Sequence, residues 1–163
     1  IKGFYDSDFA TAADRKSISG MGILLGCNCI DAASKRQGLV ADNVTEGEII
    51  ASNALLKRVQ FVNNFCQSIT AFKLHGSDFS KTKPTLNGDN EASVKFSHAG
   101  EPTERCKHIS IKYLRVRDAV ERGEVDVAWA PRNANVLADG LTHLLPVAPF
   151  QKWLLAMGIV DKQ

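Results

Sequence analysis

The run Thr45-Glu46-Gly47-Glu48, with the apolar residues behind it, constrains this chain more than any other stretch. Ile49, Leu55, Leu56, Val59, Val62 and Cys66 recur at three- and four-residue steps, which predicts a long helix with one face in a core. Thr45 followed three residues later by Glu48 fits a capping box and predicts the helix start. Ser52, Leu55, Val59, Val62 and Cys66 share a stripe with Glu48, so a carboxylate heads the face that the helix buries. On this stretch alone, capping is the simpler role for Glu48. Convergence with other carboxylates would change that reading.

A chain of 163 residues with 44% hydrophobic content supports one well-buried core, so residues 1–163 read as a single domain. A net charge of +2 permits a nucleic-acid partner without arguing for one. The best early apolar run, Met21 to Leu25, is too short for a secretory signal or a membrane span. The chain opens on Ile1 and the apolar residues to Tyr5, which reads as a piece of something longer. Cys27, Cys29, Cys66 and Cys106 form no CxxC pair, and Cys66 falls on the buried stripe, which favours a reduced, intracellular protein over a disulfide scaffold. Cys106 and His108 are the one close Cys/His pair, too little for a zinc site.

In chain order, Gly3 to Phe9 reads as a strand with Asp6 and Asp8 on one side. Ser17 to Leu25 and Asn28 to Ala33 read as a hairpin turning at Gly26-Cys27. Lys35 and Arg36 open the connection to the long helix, as a solvated loop or as phosphate contacts. Beyond the helix, Thr85 to Gly88 is a short strand with Asp89 at its C-terminal end, where α/β sheets place their chemistry; capping the helix from Glu91 to Phe96 is an equal local reading for Asp89. His108 to Arg122 reads as a helix stopped by Gly123, and its Lys112, Arg115 and Arg122, with Arg105, Lys107 and Arg117 nearby, form the best basic footprint for a phosphate backbone. Glu124 to Trp129 alternates as a half-buried strand. Val136 to Leu145 reads as a helix with Leu137, Leu141 and Leu144 on one side and Asp139 and His143 on another; Gly140 there implies a close neighbour. Pro149 to Met157 forms a final amphipathic helix.

This order makes a mixed α/β domain with acidic residues at its element ends: Asp6, Glu48, Asp89 and Asp139. Carboxylates brought together repel unless cations sit between them. Mg²⁺ suits an all-oxygen cluster, and two metals about 3.5–4 Å apart can clamp the attacking and leaving oxygens of a phosphodiester displacement.

The segments Gly3 to Phe9, Asp14 to Gly20, Ser34 to Gln37, Thr45 to Ala51, Gly88 to Ala92, Lys107 to Tyr113 and Leu137 to Thr142 resemble, in order, the ribonuclease H domain of copia-type LTR retrotransposon polyproteins. The resemblance implies a ribonuclease H-like fold, a five-stranded mixed sheet flanked by helices, and hydrolysis of the RNA strand of an RNA/DNA hybrid. It implies two Mg²⁺ or Mn²⁺ ions held by Asp6, Glu48, Asp89 and Asp139, and an upstream reverse transcriptase as partner. His143 is expected as a proton shuttle or product-release residue, and Lys35, Arg36, Lys112 and Arg115 as phosphate contacts. The expected setting is the cytoplasm, virus-like particles or the nucleus. The chain departs from the family pattern at Phe9, Ile49, Leu114 and His143, where the family often carries Trp, Tyr, His and Lys. Two rivals are a catalytically silent, repurposed module that binds nucleic acid or a protein, and an integrase of related fold, which would leave the Asp139 match unused.

Overall fold

The computed structural model describes residues 1–10, 13–69, 82–99 and 114–159. Its strands are β1 (Lys2–Asp8), β2 (Ile18–Leu25), β3 (Asn28–Arg36), β4 (Thr85–Gly88) and β5 (Asp126–Trp129), and its helices are α1 (Val44–Ser68), α2 (Glu91–His98), α3 (Arg115–Glu121), α4 (Val136–Asp139) and α5 (Val147–Met157). A 3-10 turn, Arg132–Ala134, precedes α4. The five strands form one mixed sheet in the order β3-β2-β1-β4-β5, as expected. β1 pairs antiparallel with β2 and parallel with β4, which pairs parallel with β5.

The alternation of β1 decides what lies on each face of the sheet. A Cβ on Gly3 would meet Leu55 and Val59 of α1, and Tyr5 is buried with Met21, Ile23, Leu55, Leu56 and Leu86 in the main core. Asp6 points to the other face, where α4 packs: Asp6 pairs with Gly20, and a Cβ on Gly20 would lie 2.3 Å from the Ala138 carbonyl. The helix stripe read from sequence is buried at Glu48, Ser52, Leu55, Val59 and Cys66, with Val62 partly covered.

The start of α1 differs from the capping box expected at Thr45. Asn43 is the N-cap, accepting from the Glu46 amide at 3.0 Å, while the Glu46 carboxylate accepts from the Asp42 amide at 2.7 Å. The pattern is shifted two residues toward the N-terminus, which releases Glu48 from capping. Asn43→Ala is expected to cost about 1 kcal/mol in urea denaturation, and Thr45→Ala less than about 0.5 kcal/mol; equal losses would restore the cap to Thr45.

Lys35 and Arg36 are the last residues of β3, paired with Ser19 and Ile18, and not the start of a loop. Asn90, not Asp89, caps α2, accepting from the Ser93 amide at 2.9 Å. α4 is a single turn and not a helix to Leu145, so Leu144 is 98% exposed and leaves the apolar side expected for it. The close neighbour implied at Gly140 is Trp153: a Cβ there would come within 2.1 Å of the indole, whose Nε1 donates to the Leu137 carbonyl at 3.2 Å. Arg105, Cys106, Lys107, His108 and Lys112 lie outside the described residues. No described helix is long and apolar enough to cross a membrane.

Candidate active site

The C-terminal ends of the parallel neighbours β1 and β4 stand side by side, and α1 begins over them. That closeness needs Gly47, because a Cβ there would lie 2.8 Å from Ser7 Oγ. Gln37 locks the junction, its side-chain amide donating toward Ser7 Oγ at 3.2 Å, Ser19 Oγ at 2.9 Å and the Gly47 carbonyl at 2.9 Å. On the other face, Asn135 Nδ2 donates to the Tyr5 carbonyl at 2.8 Å and fixes the turn into α4 one residue from Asp6.

Asp6, Glu48 and Asp89 meet at this junction, each with a carboxylate oxygen within 4.8 Å of the others. Glu48 is only 2% exposed. Its Oε1 accepts from the Ser7 amide at 3.1 Å, and its Oε2 is buried with no hydrogen-bond partner. Burial first, then the charges of Asp6 and Asp89, push Glu48 up to about 9. Asp6 is also raised, by burial before all else and then by Asp89 and Asp139, against a lowering hydrogen bond from Thr142. Asp89 is raised by burial, opposed by the charge of Arg132. Three carboxylates that resist ionising together, one of them carrying a bare buried oxygen, form a donor set fit for a hard divalent cation.

Asp139 is near this group without joining it. Its Oδ1 lies 3.4 Å from Arg132 Nη2, and its Oδ2 lies 3.9 Å from His143 Nε2. The pairing of His143 with Asp139 read from their spacing is therefore present although the helix is shorter. Of the expected phosphate contacts, Lys35 and Arg115 are exposed, Arg36 is ion-paired with Asp14, and Lys112 is outside the described residues. Lys35 borders a cavity of 280 Å³ together with Ser19, Gln37, Asn53 and Lys57.

Several residues of this neighbourhood were not singled out from sequence. Gln37 and Thr142 sit inside matched segments, which was the available signal; Asn135, Arg132 and Trp129 carried none, since their roles depend on how the β5–α4 turn folds back. Trp129, half-exposed at the end of β5, donates its Nε1–H to the Asp89 carbonyl at 3.0 Å.

No family model matches the chain. It is 29% identical over 152 residues to the retrovirus-related Pol polyprotein from transposon TNT 1-94 of Nicotiana tabacum, a match covering 93% of this chain. The chain spans only 11% of the length of that relative. Among solved structures, a ribonuclease H1 from the halophilic archaeon Halobacterium salinarum superposes with a TM-score of 0.55 at 15% identity, covering 86% of this chain and 92% of the other. A ribonuclease H1 isolated from compost by a metagenomic approach superposes with a TM-score of 0.57 at 18% identity, covering 86% and 90%. The resemblance read from the sequence is borne out: this chain has a ribonuclease H-like fold, and its sequence is similar to a stretch of a retrotransposon Pol polyprotein.

Proposed function

We propose that this domain is a metal-dependent endonuclease that hydrolyses the RNA strand of RNA/DNA hybrids, as part of a polyprotein carrying a reverse transcriptase upstream. The observation that carries the reading is the buried carboxylate of Glu48, its Oε2 unpartnered, grouped with those of Asp6 and Asp89. A buried oxygen acceptor without a donor costs about 1–3 kcal/mol, and a cation shared with two neighbouring carboxylates removes that cost.

Asp6, Glu48 and Asp89 would hold one of two Mg²⁺ or Mn²⁺ ions, and Asp139, now paired with Arg132, would complete the set. The ions supply neutralisation of the carboxylates and of the scissile phosphate, and activation of water. His143, on the outer side of Asp139, handles a proton or the departing product. Lys35, Arg36, Lys112 and Arg115 contact backbone phosphates, and Lys57 joins Lys35 across the cavity beside Gln37. Such contacts position the hybrid by shape, and the 2′-hydroxyls mark the strand to be cut.

The test is cleavage of a doubly labelled RNA/DNA hybrid by the native chain with Mg²⁺ and with chelator. Metal-dependent loss of the RNA strand alone is the expected outcome; cleavage of the DNA strand, or none at all, ends the proposal. The rival, a binding module that no longer cuts, draws on the pairing of Asp139 with Arg132 away from the triad, and it predicts hybrid binding indifferent to metal.

A further inference from the structure

Thr142 lies at the meeting point of the site's two halves. It is 3% exposed, and its hydroxyl is 2.9 Å from Asp6 Oδ2, 2.8 Å from the Asp139 carbonyl and 3.0 Å from His143 Nδ1. It reaches that place because β2 carries no side chain at the level of Asp6: Asp6 pairs with Gly20, and a Cβ on Gly20 would lie 2.8 Å from the Thr142 methyl. The methyl thus packs on bare backbone and aims the hydroxyl across the sheet at the carboxylate.

We propose that Thr142 is the positioning residue for Asp6: its single hydroxyl hydrogen goes to Asp6 Oδ2 in preference to the neutral Asp139 carbonyl, its oxygen can accept from a protonated His143 Nδ1, and one carboxylate oxygen is thereby fixed so that Asp6 is presented to the cation shared with Glu48 and Asp89. This rests on the metal-dependent reading above. A hydroxyl donating to an ionised carboxylate makes a charge-assisted bond, stronger than a neutral one. Asp6 stands near a strand end with its side chain on the α4 face, and Thr142 gives it a side-chain donor on that face besides the Ser7 backbone amide. Partners of this kind orient ligands that would otherwise sample several rotamers.

The experiment compares native chain, Thr142→Val and Thr142→Ser in two readouts: Mn²⁺ affinity by electron paramagnetic resonance, and kcat and KM on a hybrid. Thr142→Val, which keeps the packing volume and removes the hydroxyl, should weaken Mn²⁺ binding about 10-fold or more and lower kcat with KM for hybrid unchanged, as loss of an outer partner does. Thr142→Ser should stay within about 3-fold of native, because it keeps the hydroxyl. A Val variant that binds Mn²⁺ like the native chain overturns the inference, as does a Ser variant that loses as much affinity as Val, since packing against Gly20 would then be the whole contribution. The Ser arm decides even where Val disturbs folding. A native chain that takes up no Mn²⁺ brings down the nuclease reading together with this one; a native chain that binds and cuts beside an equally competent Val variant brings down Thr142 alone.

Discussion

Asp89→Asn is expected to reduce Mg²⁺-dependent hybrid cleavage by at least about 100-fold, beyond the loss that removal of an outer partner causes. The substitution keeps shape and removes a charge from the triad of Asp6, Glu48 and Asp89. It leaves the scaffold alone, for two reasons. Asn90 caps α2, so no helix start is lost, and it is the backbone carbonyl of residue 89 that receives the Trp129 indole. Folding stability in chelator should therefore not fall below native, and removal of a charge that raises Glu48 acts to increase it. Cleavage rates with a parallel thermal melt check both halves. Activity within about 3-fold of native would remove Asp89 from the chemistry, because a group holding the cation cannot lose its charge so cheaply.

Glu48→Gln should separate stability from metal uptake. In the unfolded chain Glu48 gives up its proton near its ordinary value of 4.5, whereas in the fold it keeps it up to about 9. The contribution of the protonated Glu48 to stability is thus fully present below about pH 4.5 and is lost as pH rises toward about 9. The raised Asp6 and Asp89 act in the same direction. A glutamine does not titrate, can still accept from the Ser7 amide, and can turn its NH₂ toward the carboxylates. In chelator at about pH 8, Glu48→Gln should be more stable than native by on the order of 1–3 kcal/mol, a rise of several degrees in Tm that vanishes near about pH 4. Adding Mg²⁺ should raise the Tm of the native chain and leave the variant nearly unmoved, since only binding to the folded state stabilises it. Melts at two pH values, with chelator and with Mg²⁺, make the comparison. A variant less stable than native in chelator at about pH 8 would mean that Glu48 is a satisfied structural acid and not a strained ligand.

The features that sequence exposed best were those with a strong period or a strong punctuation mark. The α1 stripe from Glu48 to Cys66, the hairpin turning at Gly26-Cys27 and the four residues of β4 were all legible because local pattern and tertiary burial agree there. The capping box expected at Thr45, and the capping alternative weighed equally for Asp89, both give way for one physical reason: a cap is decided by which side chain reaches the first amides, and Asn43 and Asn90 outcompete Thr45 and Asp89 at that. With the caps taken by asparagines, Glu48 and Asp89 are both left free for the triad in which the sequence already placed them. The helical spacing of Leu137, Leu141 and Leu144 carries the expected helix to Leu145, past Gly140, the C-cap at which α4 ends and against which Trp153 packs. Arg132 and Asn135 were beyond reach of pattern altogether, for their partners Asp139 and Tyr5 depend on the return of the chain across β1.

The strand order carries a consequence for the timing of assembly. Asp6 lies on the first strand and Asp89 follows the fourth, the two are brought together only by parallel pairing, and Asp139 and Thr142 come still later, after the fifth strand. The β1–β2–β3 meander can close early through local turns, whereas the parallel neighbours must wait for a long crossover, which makes their pairing the slow, nonlocal step. On a ribosome the acidic centre therefore stays dispersed until nearly all of the domain has emerged, and a chain cut short before residue 139 folds its hairpins without ever owning a complete set of carboxylates. The topology itself keeps the acidic centre incomplete until synthesis has passed it.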